Sequence, residues 1–133
     1  MNIKCQFAVL FVSDIEKSKE FYTKVLGLSI KMDMGDNVIF ENGIALWQVP
    51  EGHIIYDKIT NKNDKKKNQK SFELYLEAED IESINHKLQD NGVRFFHDLR
   101  EEPWGQKTVR LYDPDENLIE IGESLPTFLQ RMD

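Results

Sequence analysis

Three residues in the second half of the chain have side chains that can transfer a proton or bind a cation. Glu73 and Glu120 each lie in a run that alternates polar with apolar residues, as a strand with one buried face does. Alternation predicts that the apolar neighbours pack beneath a helix while both carboxylates project from the opposite face. Because an unpaired buried charge is costly, these carboxylates require water, a cation or a polar ligand. Together with His97, at the end of a third strand-like run, we interpret Glu73 and Glu120 as candidate catalytic residues.

His97 and a further strand residue, Glu77, also have interpretations that involve no chemistry. His97 is also compatible with an exposed position at the end of a strand, with no chemical role. Glu77, two strand positions after Tyr75, is compatible with a solvated position at the edge of the sheet, where it forms an ion pair with a lysine.

The elements that carry these residues occur twice along the chain. A strand-like run followed by an amphipathic stretch between Asp14 and Gly27 recurs as the same pattern between Asp80 and Gly92. The offset is 66 residues between the two aspartates and 65 between the two glycines. Order and spacing therefore both recur, which predicts two copies of one structural module.

Periodicity predicts the same elements in each copy. The two aspartates are N-caps of amphipathic helices, and the two glycines supply the left-handed residue that ends each helix. Strands are then predicted at residues 29–32, 37–41 and 44–49 in the first copy and at residues 94–97, 107–112 and 118–122 in the second. Each copy thus reads as β-α-β-β-β, and residues 125–132 are expected to add a short helix.

The composition limits the class of protein. The chain has 133 residues, of which 40% are hydrophobic and 31% charged, as expected of one compact domain or two small modules that share a core. No apolar run approaches the ~20 residues of a membrane span, and the start lacks the apolar core of a signal peptide, so we expect a cytoplasmic protein without a membrane partner. The net charge of −7 argues against a nucleic-acid partner. The single Cys5 is expected to be a small buried hydrophobe in the first strand.

A basic, polar segment separates the two copies. Residues 58–70 are rich in lysine and lack apolar periodicity, which indicates a linker. We therefore expect a first module at residues 1–57 and a second at residues 71–133, together forming one domain over residues 1–123 with a short C-terminal tail. Anion binding by the clustered lysines is the alternative reading of the segment.

Two motifs resemble the vicinal oxygen chelate superfamily, which comprises glyoxalase I, bleomycin-resistance proteins, fosfomycin-resistance transferases and extradiol dioxygenases. The first motif runs from Val12 to Tyr22 and the second from Tyr112 to Glu120. The resemblance extends over nearly the whole chain and implies an α+β fold in which paired βαβββ modules curl their sheets into a cup, with the helices outside. It also implies a small-molecule ligand and a homodimer, with the cup completed within one chain or across two.

Alternation along the strands of such a cup predicts its lining. Residues that pack under a helix point outward, so their neighbours point toward the ligand. Among the predicted ligand-binding residues, alternation supplies Phe7, Phe11 and Tyr75. The resemblance adds Trp47 or Gln48 at the last strand of the first module, and Trp104 is expected in a loop at the mouth of the cup. Aromatic walls suit a planar or apolar organic molecule, and the alternative is that these rings belong to the core.

The resemblance also assigns four positions to a divalent metal ion, one on the first strand and one on the last strand of each module. In this chain they fall on Phe7, Glu73, Glu120 and either Trp47 or Gln48. Two glutamates and water seldom hold Zn or Ni tightly, so we predict that neither is tightly bound. A weakly bound divalent ion at the two glutamates is the alternative.

Two functions stay open at this point. The first is an enzyme of the lyase or isomerase type, similar to lactoylglutathione lyase, in which Glu73 or Glu120 moves a proton on a small oxygenated metabolite. The second is a protein that sequesters an aromatic or cationic compound without chemistry, as the bleomycin-resistance members do. The missing metal ligands favour the second function, and the inward carboxylates favour the first or a cationic ligand. We predict the first, an enzyme whose substrate the sequence does not name, and keep the second as the alternative.

Overall fold

A computed structural model describes residues 3–60 and 72–132 and divides the chain into two compact units, residues 1–69 and residues 70–133. Each unit contains a four-stranded mixed sheet with one main helix between its first two strands. The predicted α+β class with two similar βαβββ modules is therefore confirmed.

The first unit begins with a strand, a helix and a three-stranded meander. Its strands are β1 (Ala8–Phe11), β2 (Ile30–Asp33), β3 (Asn37–Phe40) and β4 (Ile44–Trp47). Helix α1 (Ile15–Glu20) continues as a π-helical turn over Phe21–Val25, and α2 (Tyr56–Thr60) follows β4. The sheet order is β1-β4-β3-β2, with β1 and β4 parallel and the other pairs antiparallel.

The second unit repeats this topology. Its strands are β5 (Leu74–Ala78), β6 (Arg94–Glu101), β7 (Lys107–Tyr112) and β8 (Leu118–Glu123), in the order β5-β8-β7-β6. Helix α3 (Ile81–Asp90) joins β5 to β6, and the predicted C-terminal helix forms as α4 (Leu125–Met132). Strand β6 extends four residues beyond its predicted end at residue 97. It therefore pairs with β7 along the whole length of that strand.

The helix-facing side of each sheet forms the core. In the second unit, Val109, Leu111 and Ile119 have no exposed surface, and they lie beneath α3 as alternation predicts. In the first unit Leu10 and Val12 are buried in the same way. Among the described residues, no helix combines the length and the apolar character that a membrane span requires.

Both predicted N-caps are present. A side-chain oxygen of Asp14 accepts a hydrogen bond from the amide of Lys17, and that of Asp80 accepts one from the amide of Ser83, each at 3.1 Å. The helices end before Gly27 and Gly92, whose φ angles of 73° and 65° are left-handed, as predicted for both.

Two sequence-based expectations differ from the structure near the ends of the first unit. Cys5 is exposed and precedes β1, because the chain enters the sheet only at Ala8, so the prediction of a buried cysteine in the first strand is wrong. The predicted linker at residues 58–70 begins within α2, and its residues 61–70 lie outside the described part of the chain.

The parallel strand pairs show which positions of the two units are equivalent. The offset of 66 residues makes Val9 equivalent to Tyr75, and these pair with Ala45 and Glu120 respectively. Ala45 is therefore the counterpart of Glu120, and the prediction of Trp47 or Gln48 for that position is wrong. The alignment of the turn before β4 was ambiguous in the sequence, and only the register of the strands decides it.

Replacing Asp80 by Ala removes the N-cap of α3 and is expected to lower the free energy of unfolding of the chain by about 1 kcal/mol. Urea denaturation followed by circular dichroism measures this change. The matched control is Asp80→Ser, which keeps a capping oxygen and is expected to lose far less. Equal losses for the two variants would contradict a capping role.

Candidate functional site

Four residues on four strands form one row across the second sheet. Tyr75 on β5 pairs with Glu120 on β8, Glu120 pairs with Arg110 on β7, and Arg110 pairs with His97 on β6. Residues paired directly across a sheet share a face, so this row points away from the core. We call the surrounding surface the polar face, and its members are Glu73, Tyr75, Glu77, His97, Glu102, Thr108, Arg110 and Glu120.

The guanidinium of Arg110 lies at the centre of the polar face. Its Nη1 donates to Oε1 of Glu102 at 2.9 Å, and its Nη2 donates to Oε1 of Glu120 at 2.7 Å. Its Nε lies 3.7 Å from Oε2 of Glu73. The side chains of Glu102 and Glu120 are only 7% and 8% exposed, so water screens these two ion pairs weakly. Arg110 therefore supplies the counter-charge for carboxylates that the fold partly desolvates.

The carboxylates around Arg110 differ in their affinity for a proton. Burial raises the pKa of Glu120 above its ordinary value, and the neighbouring carboxyl of Glu73 raises it further, against the opposing charge of Arg110. In contrast, the hydroxyl of Thr108 and then the guanidinium hold the pKa of Glu102 below its ordinary value. Of the two carboxylates hydrogen-bonded to Arg110, Glu120 is therefore the better suited to carry a proton, whereas Glu102 favours the ionised form.

His97 is held by both of its ring nitrogens. Nη1 of Arg110 lies 2.9 Å from Nε2, and the carbonyl oxygen of Asp98 lies 2.7 Å from Nδ1. A guanidinium can only donate, so Nε2 is the acceptor and Nδ1 carries the hydrogen that it donates to the carbonyl. The imidazole is thus a neutral partner of Arg110. The catalytic role predicted for His97 stays a prediction, and it would require this contact to open.

A second chain of hydrogen bonds fixes the hydroxyl of Tyr75. Nε1 of Trp104 donates to Oε1 of Gln106 at 2.9 Å, which orients the amide because an indole can only donate. Nε2 of Gln106 then donates to the Tyr75 hydroxyl at 2.9 Å and to the carbonyl oxygen of Glu123 at 3.0 Å. The hydroxyl in turn donates to Oε2 of Glu77 at 2.7 Å. Burial raises the pKa of Tyr75, and the bond to Glu77 adds to this, so the hydroxyl keeps its hydrogen and offers a ligand only a lone pair.

Gly122 makes room for this chain. A Cβ at Gly122 would lie 2.6 Å from Nε2 of Gln106 and 3.1 Å from the hydroxyl of Tyr75. The register makes Gly122 equivalent to Trp47, since Glu77 and Phe11 are their respective partners. The first unit therefore has the indole of Trp47 at this position. In the second unit the same space is filled by the amide of Gln106 and the phenol of Tyr75.

Aromatic rings border the polar face. A bulge in β6 between Phe95 and His97 leaves the ring of Phe96 against those of His97 and Tyr112, at centroid distances of 5.8 and 6.2 Å. Phe96 is 61% exposed, and the rings of Tyr75 and Trp104 are also exposed. These flat apolar surfaces stand beside the carboxylates and are open to solvent.

The remaining predicted residues belong to the first unit. Phe11 and Trp47 are paired in register, with ring centroids 6.2 Å apart, and both are at least partly exposed. Phe7 precedes β1 and is also exposed. Oε1 of Gln48 accepts a hydrogen bond from the amide of Ile15 at 2.8 Å, so its amide supports the start of α1 instead of joining the predicted lining.

The donor set at the four metal positions does not fit a divalent ion. With Ala45 as the counterpart of Glu120, Phe7 and Ala45 supply no ligand atom, and one oxygen of Glu120 is bonded to Arg110. Within residues 3–60 and 72–132, no three His, Cys, Asp or Glu side chains are grouped so that they could hold a metal ion.

Sequence reasoning missed Arg110, Glu102 and Gln106. Arg110 alternates with the apolar Val109 and Leu111, so the period-2 pattern of β7 already placed it on the face of Glu120. The convergence of Glu102 on that arginine has no signal in the sequence, because it depends on the bulged end of β6.

Comparison with known proteins supplies the context for this geometry. Residues 5–126 match the model of the glyoxalase-like domain family. The uncharacterized protein YraH of Bacillus subtilis strain 168 is 30% identical over 123 residues, which cover 87% of this chain and 94% of that protein.

Solved structures give the same picture of the fold. The crystal structure of a protein of unknown function from Agrobacterium tumefaciens strain C58 matches with a TM-score of 0.77 and 33% identity, covering 94% of this chain and 97% of that one. A glyoxalase/dioxygenase from Nostoc punctiforme matches with a TM-score of 0.68 and 21% identity, covering 91% and 90% of the two chains. The second likeness concerns the fold alone.

The depressed pKa of Glu102 predicts a dependence of stability on pH. The ionised carboxylate stabilises the fold at every pH above the ordinary carboxyl range, and this stabilisation is lost as the pH falls through the lower pKa of the folded state. Glu102→Gln is therefore expected to cost about 1 to 3 kcal/mol at pH 7 and progressively less below pH ~4. Urea denaturation at a series of pH values tests this, with the exposed Glu101→Gln as control. A cost that does not change with pH would contradict it.

Gly122→Ala is expected to break the bond between Gln106 and Tyr75, because the buried amide cannot move without losing its other partners. We expect a loss of about 1 to 3 kcal/mol in the free energy of unfolding, as for other additions to a packed site. Thermal denaturation measures the loss. Gly105→Ala is not a suitable control, since that glycine has a φ of 98°, so Ser29→Ala at an exposed position of the first unit serves instead. Unchanged stability of Gly122→Ala would show that the amide is free to shift.

Proposed function

Since this chain belongs to the glyoxalase-like domain family, we propose that it is a small-molecule-binding protein whose ligand site is the polar face of the second unit. The proposed ligand carries a positively charged hydrogen-bond donor, such as an ammonium group, next to a flat apolar body. Sequestration of the ligand without chemistry is the function that these features support best.

The excess of negative charge on the polar face is the observation that carries the proposal. Three carboxyl groups, those of Glu73, Glu102 and Glu120, surround the guanidinium of Arg110, and a fourth, that of Glu77, accepts the hydrogen bond from Tyr75. Arg100, at the edge, lies 3.6 Å from Glu102 and is more than half exposed, so it adds little to the balance. Even with the carboxyl of Glu120 protonated, the face retains more negative than positive charge, which favours a cationic ligand.

The direction of the hydrogen bonds supports the same ligand class. The hydroxyl of Tyr75 donates to Glu77 and accepts from Gln106, so it can offer a ligand only an acceptor. The exposed carboxylate of Glu73 also offers only acceptors. A neutral ligand without donors would leave these groups unsatisfied once it displaced their water, whereas an ammonium group would satisfy several of them.

The aromatic rings fit the apolar part of such a ligand. Phe96, Tyr75 and Trp104 expose ring surface on or beside the polar face. Ring faces attract cations as well as flat apolar groups, so the same side chains serve both parts of the ligand.

One observation favours a second function, an enzyme of the lyase or isomerase type acting on a small oxygenated metabolite. The raised pKa of Glu120, caused by burial and by the nearby carboxyl of Glu73, brings this group closer to the range in which it both gives and takes a proton. In that function Glu120 transfers the proton and Arg110 fixes the orientation of its carboxyl group. The homodimer and the cytoplasmic location expected from the sequence stay predictions.

The proposal predicts a preference between matched ligands. Aromatic amines and their neutral isosteres are screened by ligand-observed NMR, and hits are measured by calorimetry. We expect the amine of each pair to bind at least tenfold more tightly, a difference of about 1.4 kcal/mol. Glu73→Gln and Glu120→Gln are expected to remove most of this preference while thermal stability stays nearly unchanged or rises, because both variants relieve repulsion between carboxylates.

The control is Glu79→Gln, an exposed carboxylate outside the polar face, which is expected to bind like the unmodified chain. Equal binding of amines and neutral isosteres would contradict the proposed ligand class. Conversion of any compound in the same spectra, lost in Glu120→Gln while binding persists, would instead establish the enzymatic function.

A further inference from the structure

A second row of side chains crosses the second sheet, next to the row that contains Arg110. Arg94 on β6 pairs with Tyr112 on β7, and Tyr112 pairs with Leu118 on β8. Tyr112 and Arg110 are two positions apart on one strand, so their side chains project from the same face. Glu73 completes this second row, because it directly precedes β5, whose first residue pairs with the residue after Leu118. The second row therefore consists of a carboxylate, an alkyl group, a phenol and a guanidinium, in that order.

The two ends of the second row have opposite charge. Glu73 and the nearby Glu120 make one end negative, and Arg94 makes the other end positive. Three strand intervals separate these ends, which is a distance of about 14 Å. We infer that the ligand is an elongated zwitterion, with its ammonium group at Glu73, its flat apolar body across Leu118 and Tyr112, and a carboxylate at Arg94. This inference rests on the proposed function and names its ligand class more narrowly.

Arg94 is held in position to receive an anion. The central carbon of its guanidinium lies 4.7 Å from the centroid of the Tyr112 ring, and this cation–π contact keeps the side chain on the sheet. Its Nη1 donates to Oε1 of Glu116 at 2.8 Å, but a guanidinium has more donors than this bond uses. The side chains of Arg94 and Glu116 are 66% and 64% exposed, so their ion pair is weak. A ligand carboxylate can therefore share the guanidinium or displace Glu116 from it.

The middle of the second row suits the apolar body of such a ligand. The exposed ring of Phe96 meets that of Tyr112 edge to face, at an interplanar angle of 81°. Leu118 is partly exposed on the same face. These three side chains form an apolar strip between Glu73 and Arg94, and displacement of water from the strip favours binding. A ligand that is apolar in the middle and charged at both ends matches the whole row.

The test compares two synthetic biphenyls. The first is a zwitterion with an aminomethyl group at one para end and a carboxylate at the other, and the second is its carboxamide, which keeps only the positive charge. Calorimetry with the unmodified chain is expected to show binding of the zwitterion that is tighter by about fivefold or more, because the carboxylate gains a charge-assisted pair with Arg94. The single-ring aminomethyl benzoate is expected to gain nothing over its own carboxamide, since it is too short to reach both ends of the row.

Variants at each end of the row locate the two charges of the ligand. Arg94→Gln is expected to bind the zwitterion and the carboxamide equally, whereas Arg94→Lys keeps part of the preference. Glu116→Gln removes the competing carboxylate and is expected to increase the preference. Glu73→Gln is expected to weaken both compounds alike, because it acts on the ammonium end that they share. The control is Lys87→Gln, at an exposed position of α3, which is expected to change nothing.

Several results would overturn the inference. Equal binding of the zwitterion and its carboxamide by the unmodified chain would do so, and so would an equal gain for the single-ring compound. A preference that persists in Arg94→Gln would show that another cation receives the carboxylate. If neither biphenyl binds while other aromatic amines do, the inference fails and the proposed function stands. If no amine binds, both fail.

Discussion

The second unit depends on one positive charge held among several negative ones. Arg110 lies on β7, a strand with partners on both sides, and its neighbours on the polar face are glutamates on β8, just after β6 and just before β5. Without the guanidinium, carboxylates such as Glu102 and Glu120 would share a partly desolvated surface with no counter-charge, which is among the costlier arrangements in a protein. The orientation of His97 follows from the same charge, because a group that only donates determines which imidazole nitrogen accepts.

The two units have one topology but different surface chemistry. In the first, the positions equivalent to Tyr75 and Glu120 are Val9 and Ala45, so the corresponding row is apolar. The polar hydrogen-bond chain of the second unit also has no counterpart among the described residues of the first, where Trp47 occupies the position of Gly122. Since packing under the helices constrains only the core side of each sheet, the opposite sides were free to diverge. The candidate chemistry is therefore concentrated in one copy.

Membership in the glyoxalase-like domain family establishes a scaffold, not a reaction. One fold supports many functions, and the side chains of the site decide which chemistry is available. Here those side chains are an excess of hydrogen-bond acceptors, a fixed tyrosine hydroxyl and exposed rings, gathered around an arginine and not around a set of metal ligands. This combination supports recognition of a positively charged organic molecule more directly than it supports metal-assisted catalysis.

The sequence by itself determined the modules, their caps and the faces of their strands. Such features depend on local periodicity and on residues with special backbone preferences, such as Asp80 and Gly92 at the ends of α3, so they can be read without knowing what the chain packs against. The placement of Glu120 away from the core followed in the same way. What only the tertiary structure decided is which residues meet. The equivalence of Ala45 with Glu120 depends on strand register, and the convergence of Glu102, His97 and Glu120 on Arg110 depends on bulges in β6 and on pairing between separate strands. A change of register by one residue would turn every side chain of a strand to the opposite face, and no pattern within a single strand specifies its partner.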